Sequence, residues 1–199
     1  MTAPALAIWQ RIGREADPVT NNRFLLDRAR VALARDDPVA ALALLGGVVA
    51  PRNAARLPLR LELLNADLLT AQAWLRQRRF EDASRNAAQV LNALQASPLR
   101  QYYIPLEADA LLRLGIAQHG LRDLAAARVN LERSVELRAS VDASTSPALA
   151  EAQLALAACL REMDERRAAA ALEQRGRAVL ASHSRIGGQF ARVVSVTAR

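Results

Sequence analysis

The chain has 199 residues, of which 52% are hydrophobic and only 4% aromatic, and its formal net charge is +7. Alanine and leucine supply most of the hydrophobic residues, which favours helices over strands. The single cysteine excludes a disulfide framework, and no stretch approaches the ~20 apolar residues of a membrane span, so we expect a cytoplasmic protein.

Proline and glycine residues divide the chain into about nine predicted helices that belong to a single array. The first is an amino-terminal helix at 1–16, whose apolar residues recur with helical spacing at Ala5, Ile8, Trp9 and Ile12. Helical hairpins and a carboxyl-terminal capping segment are then predicted, in order, at 20–51, 59–96, 103–140, 147–183 and 184–199. We expect the helix with Trp9 and the last segment to cap the array, because terminal repeats must hide an apolar face.

Each predicted hairpin carries a small residue in its first helix and an alanine twelve residues later in its second helix. The pairs are Ala29 with Ala41, Ala71 with Ala83, Gly115 with Ala127, and Ala157 with Ala169. Glycine inside a helix costs ~1 kcal/mol relative to alanine, so Gly115 needs a structural reason. We expect the paired helices to cross closely at these residues, so that leucine at Gly115 or Ala127 would cost ~1–3 kcal/mol.

This register resembles the tetratricopeptide repeat family, in the longer form of kinesin light chains and bacterial signalling proteins. The third hairpin matches best, through Leu114, Gly115, Leu124, Ala127 and Leu131. The resemblance implies an all-α fold, a right-handed superhelix of stacked antiparallel hairpins (an α-solenoid). Glu173 and Gly176 depart from the family pattern, which predicts loose or shifted packing of the last hairpin. The interval between the second and third repeats is two residues longer than the others, which predicts a local irregularity in the connection at 97–105.

The resemblance also implies that a protein or peptide partner binds in a concave groove lined by the first helices. The candidate groove residues are Leu26, Arg30, Leu68, Gln72, Leu75, Arg76, Leu112, Arg113, Ile116 and His119. Two interpretations of the leucines stay open, because periodicity does not separate them. They form either an apolar trough for a peptide or amphipathic helix, or ordinary core between neighbouring first helices.

The basic charge suggests a second hypothesis, a nucleic-acid-binding or transcription-regulatory accessory domain. Two modest basic patches are candidates, and they comprise Arg52, Arg56, Arg60, Arg76, Arg78 and Arg79. We favour solvated surface arginines, because no recognisable nucleic-acid-binding module accompanies them. Self-association into a homo-oligomer through exposed end faces is a third hypothesis.

Catalytic motifs are missing from the sequence. His119 and His183 are 64 residues apart, and Cys159 lies alone in an apolar segment. No pattern of a zinc protease, a serine hydrolase or a phosphate-binding loop is present. We therefore expect a protein that is not an enzyme and has no cofactor and no metal site.

Overall fold

A computed structural model describes residues 18–49 and 61–187, which form eight α-helices and no strand. The helices are α1 (Pro18–Ala34), α2 (Pro38–Leu45), α3 (Leu61–Arg76), α4 (Phe80–Gln95), α5 (Ile104–Gly120), α6 (Leu124–Val141), α7 (Pro147–Glu162) and α8 (Arg166–Gly187). The all-α prediction is confirmed for these residues. The predicted helix at 1–16, the loop arginines Arg52, Arg56 and Arg60, and the capping segment beyond 187 lie outside them.

The helices pack against their neighbours in sequence order. We call the pairs α1–α2, α3–α4, α5–α6 and α7–α8 hairpins 1 to 4. Each hairpin packs on the next, and the first helices also contact one another, α1 with α3, α3 with α5, and α5 with α7. The first helices therefore form one continuous layer, the first-helix layer, in an arrangement compatible with a helical solenoid.

The turns inside the four hairpins follow the same backbone path. Each has a non-glycine residue with positive φ, and these are Asp36 (60°), Arg78 (60°), Arg122 (68°) and Asp164 (65°). The next N–H donates to the carbonyl five residues earlier, as Arg79 does to Trp74 at 2.9 Å. This is the Schellman motif, in which the residue with the left-handed conformation is usually glycine. The turn residue comes seven positions after the small residue, so turns and helices share one register.

The close crossing predicted around Gly115 is confirmed. All eight small residues of the register are buried, namely Ala29, Ala41, Ala71, Ala83, Gly115, Ala127, Ala157 and Ala169. A Cβ on Gly115 would lie 2.6 Å from Leu131 Cγ and 3.2 Å from the carbonyl oxygen of Ala127. The side chain missing from α5 therefore makes room chiefly for Leu131 of α6.

The prediction of loose packing in hairpin 4 is wrong. A Cβ on Gly176 would lie 2.8 Å from Leu154 Cγ and 3.0 Å from the carbonyl oxygen of Ala150. Glycine in place of alanine lets α8 approach α7 more closely. Glu173 is also integrated, because its side chain is 15% exposed and accepts a hydrogen bond from Arg161.

The irregularity predicted at 97–105 contains a 3₁₀-helix, Arg100–Tyr102, in the connection between hairpins 2 and 3. Arg100 donates from Nε to Glu107 at 2.8 Å, and Glu107 is buried near the start of α5. This charged pair satisfies a carboxylate that would be costly to bury alone. The extra residues therefore make a specific connection between the two hairpins.

Candidate functional site

The leucines predicted to line the groove are buried. Leu26, Leu68, Leu75 and Leu112 are 4%, 6%, 7% and 1% exposed, and Leu154 of hairpin 4 is 7% exposed. Leu68, for example, packs with Val90 and Leu91 of α4 and with Leu111 of α5. The prediction that these leucines line an open apolar trough is therefore wrong. Neighbouring helices bury them, as expected if they belong to the core.

A narrower set of first-helix residues remains accessible. These residues directly follow the small residue of each hairpin, and we call them the accessible strip: Arg30, Gln72, Ile116 and Ala158. Arg30 is half exposed and lies 2.7 Å from Asp27 in an exposed ion pair. Gln72, Ile116 and Ala158 are half-buried. The strip changes from charged in hairpin 1 to polar in hairpin 2 and apolar in hairpins 3 and 4.

The basic patch predicted around the turn of hairpin 2 is largely neutralised. The Arg76 side chain is only 8% exposed, and its Nη1 lies 2.7 Å from Asp36 of the preceding turn. Arg79 lies 2.6 Å from Asp82, and its guanidinium carbon is 5.2 Å from the ring centroid of Trp74. Arg78 and Arg79 are both exposed, and the Arg79 side chain is 49% exposed. Arg76 is therefore corrected from an open patch to a buried ion pair, whereas Arg79 is ion-paired but stays at the surface.

The net positive charge belongs mostly to the parts of the sequence outside the described residues. Residues 18–49 and 61–187 contain 20 arginines and 18 acidic residues. The segments 1–17, 50–60 and 188–199 contain the other seven arginines and two acidic residues. The described surface therefore has little excess charge with which to attract a polyanion.

Several ion pairs join hairpins 3 and 4, and in each of them the cation comes from hairpin 3 and the carboxylate from hairpin 4. Arg113 lies 2.6 Å from Glu151, and Arg128 lies 2.5 Å from Glu165. Glu162 pairs with Arg122 and lies close to the ring of His119. Hairpin 3 supplies every cation of this set, while α7 and its turn supply the carboxylates Glu151, Glu162 and Glu165. Charge complementarity accompanies the apolar core at this junction.

Two buried arginines anchor this charged region. Burial of Arg113 acts to lower its pKa, but the charges of Glu151 and Asp109 and the hydrogen bond to Glu151 raise the pKa above its ordinary value. Arg113 therefore stays charged. Arg138 of α6 is 7% exposed and pairs with Asp109, and Asp142 lies 3.5 Å away. The groove prediction included Arg113 but missed Arg138, which comes from a second helix.

Cys159 and His119 both lie beside the junction between hairpins 3 and 4. Burial, followed by the charge of Glu162, raises the pKa of Cys159, and its Sγ donates to the Leu124 carbonyl at 3.5 Å. His119 Nε2 lies 3.1 Å from Glu162 Oε1, without the alignment of a hydrogen bond. Among the described residues, no group of three or more histidine, cysteine, aspartate or glutamate side chains could hold a metal ion.

None of the helices in the described ranges is long and apolar enough to cross a membrane. A comparison with protein-family models finds no match for this chain, and a comparison with curated proteins finds none either. The resemblance to tetratricopeptide repeats therefore depends on the register of small residues and hairpins.

Proposed function

We propose that this chain is a non-enzymatic scaffold of the tetratricopeptide type, a right-handed superhelix that binds a protein or peptide partner. The observation that supports this proposal is the common register of the four hairpins. In each hairpin a buried small residue, a left-handed turn residue and a buried alanine recur at the same intervals. Such repeats place their first helices side by side, which creates an extended surface. A role in bacterial regulation or complex assembly fits a scaffold of this kind.

The partner contacts the accessible strip, while the buried leucines support it from below. Arg30 offers a charged contact, Gln72 a hydrogen-bonding amide, and Ile116 an apolar side chain. An extended peptide or a helix that follows the strip would therefore need an acidic or polar residue near hairpin 1 and an apolar residue near hairpin 3. Because the strip lies on packed helices, binding would require little rearrangement of the array.

Site-specific photocrosslinking tests this proposal without disturbing the core. A photoreactive amino acid replaces Gln72 on α3 or, as the matched control, the exposed Gln89 on α4. In cells of the native host, we expect a discrete crosslinked partner from position 72 and none from position 89. Mass spectrometry identifies the partner, and Ile116→Glu should reduce the yield. Equal crosslinking at both positions, or none at position 72, would reject the strip as the binding surface.

A nucleic-acid-binding function is the second candidate, and one observation favours it: arginines outnumber acids seven to two in the segments outside the described residues. Arg52, Arg56 and Arg60 lie in one of these segments. Their replacement by glutamine should weaken DNA or RNA binding and flatten its dependence on salt concentration. No measurable binding by the unaltered chain at low salt would eliminate this candidate.

A further inference from the structure

Two junctions of the array have an ion pair at the same positions of the register. Between hairpins 1 and 2, the left-handed turn residue Asp36 lies 2.7 Å from Nη1 of Arg76. Between hairpins 3 and 4, the left-handed turn residue Arg122 pairs with Glu162. In each pair the second residue comes five positions after the small residue of its hairpin, and the partners are 40 residues apart. The polarity is reversed from one junction to the other, but each pair joins one cation to one carboxylate.

The junction between hairpins 2 and 3 differs from these two. Its left-handed turn residue is Arg78, which is exposed and whose side chain makes no hydrogen bond or ion pair with the described residues. The position that would supply a carboxylate is Gly120. A Cβ on Gly120 would lie 2.5 Å from two carbons of the Phe80 ring. Phe80 therefore excludes a side chain at position 120, so this position cannot supply a partner for Arg78.

Apolar side chains that remain partly accessible lie on both sides of this turn. Trp74 is near the end of α3, Phe80 begins α4, and Ile116 belongs to the accessible strip on α5. All three are half-buried and pack against one buried cluster. Ile116 is about one helical turn from Gly120 on α5. The accessible strip therefore continues along α5 to the ring of Phe80, which follows the turn that contains Arg78.

The other arginines at the turns of hairpins 2 and 3 already have carboxylate partners. The pairs are Arg76 with Asp36, Arg79 with Asp82, and Arg122 with Glu162. Arg78 is thus the unpaired cation between them in the described part of the chain. One unpaired charge suits a single carboxylate, whereas binding to a phosphate backbone depends on several contacts. The neighbouring junctions agree with this, because each places one carboxylate in the pair.

We propose that the partner supplies the missing carboxylate, with an aspartate or glutamate side chain that pairs with Arg78 while a nearby apolar side chain packs on Ile116 and Phe80. The occupant is therefore an acidic and apolar segment of another protein. Packed helices lie ~8–10 Å apart, so the acidic and apolar residues of an extended segment are about two to four positions apart. This inference rests on the proposed function, because it specifies which segment binds at the accessible strip.

Selection from a phage-displayed library of random short peptides tests the charge requirement without the natural partner. The unaltered chain should enrich peptides with an acidic residue near an apolar one, and Arg78→Glu should abolish that enrichment or replace it by lysine and arginine. Arg175→Glu is the matched control, because Arg175 on α8 is exposed and also has no ion pair among the described residues. Equal enrichment on the unaltered and Arg78→Glu chains, or no enrichment of acidic peptides, would overturn the proposal.

A thermodynamic cycle with the most enriched peptide then locates the contact. Arg78→Gly removes the charge from the turn, and a glutamine variant of the peptide removes the carboxylate. By fluorescence polarisation, each change alone should raise the dissociation constant about three- to tenfold, and the two together should raise it little more than either alone. Effects that multiply would overturn the pairing. Displacement of the peptide by single-stranded DNA from the unaltered chain, but not from Arg78→Gly, would assign Arg78 to a nucleic acid instead.

Crosslinking separates this inference from the proposed function. The photoreactive amino acid at position 72 reports whether the same peptide lies on the accessible strip. Crosslinking that persists unchanged in Arg78→Glu would reject the carboxylate contact and keep the strip. A peptide that depends on Arg78 but does not crosslink from position 72 would reject the strip as the binding surface.

Discussion

Hairpins 2 and 3 follow the same backbone path but fill their crossings differently. In hairpin 2 the first helix contributes Ala71 and the second contributes Ala87, and both are 0% exposed. In hairpin 3 the corresponding residues are Gly115 and Leu131. The Leu131 side chain occupies the space that a Cβ at position 115 would need. Both crossings therefore hold a pair of side chains that fit together. In hairpin 3 the first helix gives up a methyl group, and the second helix fills that space with a larger side chain.

Charge separates the same two hairpins. Hairpin 2 buries Val90 and Leu94 at positions where hairpin 3 has Ser134 and Arg138. Ser134 donates to the Ala108 carbonyl at 2.8 Å, and Arg138 pairs with Asp109. The Ser134 hydroxyl and both Nη atoms of Arg138 have partners at these core positions, whereas Arg138 Nε has none among the described residues. The backbone register therefore does not require an apolar residue at each buried position.

The largest effect should come from the Leu131 crossing. Leu131→Ala leaves a cavity beside Gly115 and should lower the free energy of unfolding by about 2–5 kcal/mol in urea denaturation. Gly115→Ala alone should cost about 1–3 kcal/mol, because the new methyl group collides with Leu131.

The double variant Gly115→Ala with Leu131→Ala recreates the pair found at the crossing of hairpin 2, Ala71 with Ala87. We expect the second substitution to recover part of the loss, with a coupling of about 0.5–3 kcal/mol. Losses that simply add would show that Leu131 is not the reason for the glycine.

The charged junction of hairpin 3 should give the next effect. Glu151→Gln removes the main partner of Arg113, whose side chain is only 10% exposed, and should cost about 1–3 kcal/mol. Glu136→Gln is the control, since the Glu136 pair with Arg133 is exposed and is worth only about 0.3–0.5 kcal/mol. Denaturation at two salt concentrations measures both. Equal losses would mean that burial does not strengthen the Arg113 pair.

A smaller effect, of opposite sign, is expected at the hairpin turns. Arg78 has a φ of 60°, which costs a non-glycine residue about 1–2 kcal/mol. Glycine removes that cost but gives the unfolded chain more freedom, so Arg78→Gly should stabilise the protein by about 0.5–1 kcal/mol. Arg85→Gly inside α4 should instead destabilise it by about 1 kcal/mol. Thermal unfolding of both variants checks the contrast, and a loss at both sites would contradict it.

The smallest expected effect is the pH dependence that Asp67 of hairpin 2 adds to the stability of the protein. Burial raises its pKa above the ordinary value of 3.8, and a hydrogen bond with Asn86 opposes this shift. The Asp67 carboxyl therefore binds its proton more tightly in the folded chain than in the unfolded chain. As a result, its contribution to the free energy of unfolding decreases as the pH rises from 3.8 through the raised pKa. The stability of Asp67→Asn relative to the original chain should increase over that range. Urea unfolding measured at several pH values tests this, and a decrease would refute it.

The hairpins could be predicted from the sequence because their register is marked by the small size of the side chains at the helix crossings. Small residues at fixed intervals, such as Ala71 with Ala83, are needed wherever two helices cross closely. The left-handed turns were not predictable in this way, because two aspartates and two arginines occupy the positions where glycine would have marked them. The candidate groove was predicted less well, since a leucine stripe looks the same whether a neighbouring helix or a partner covers it.

The sequence alone determined the all-α fold, the number of crossings and the positions where side chains had to be small. Which side chains stay accessible depended on how the hairpins stack. This stacking buried Leu68 and Leu112, left Gln72 and Ile116 half-buried, and paired Arg113 with Glu151 of a different hairpin. The physical reason is that helix periodicity is a local property, whereas burial and ion pairing depend on residues about 40 positions away that meet only when the hairpins stack.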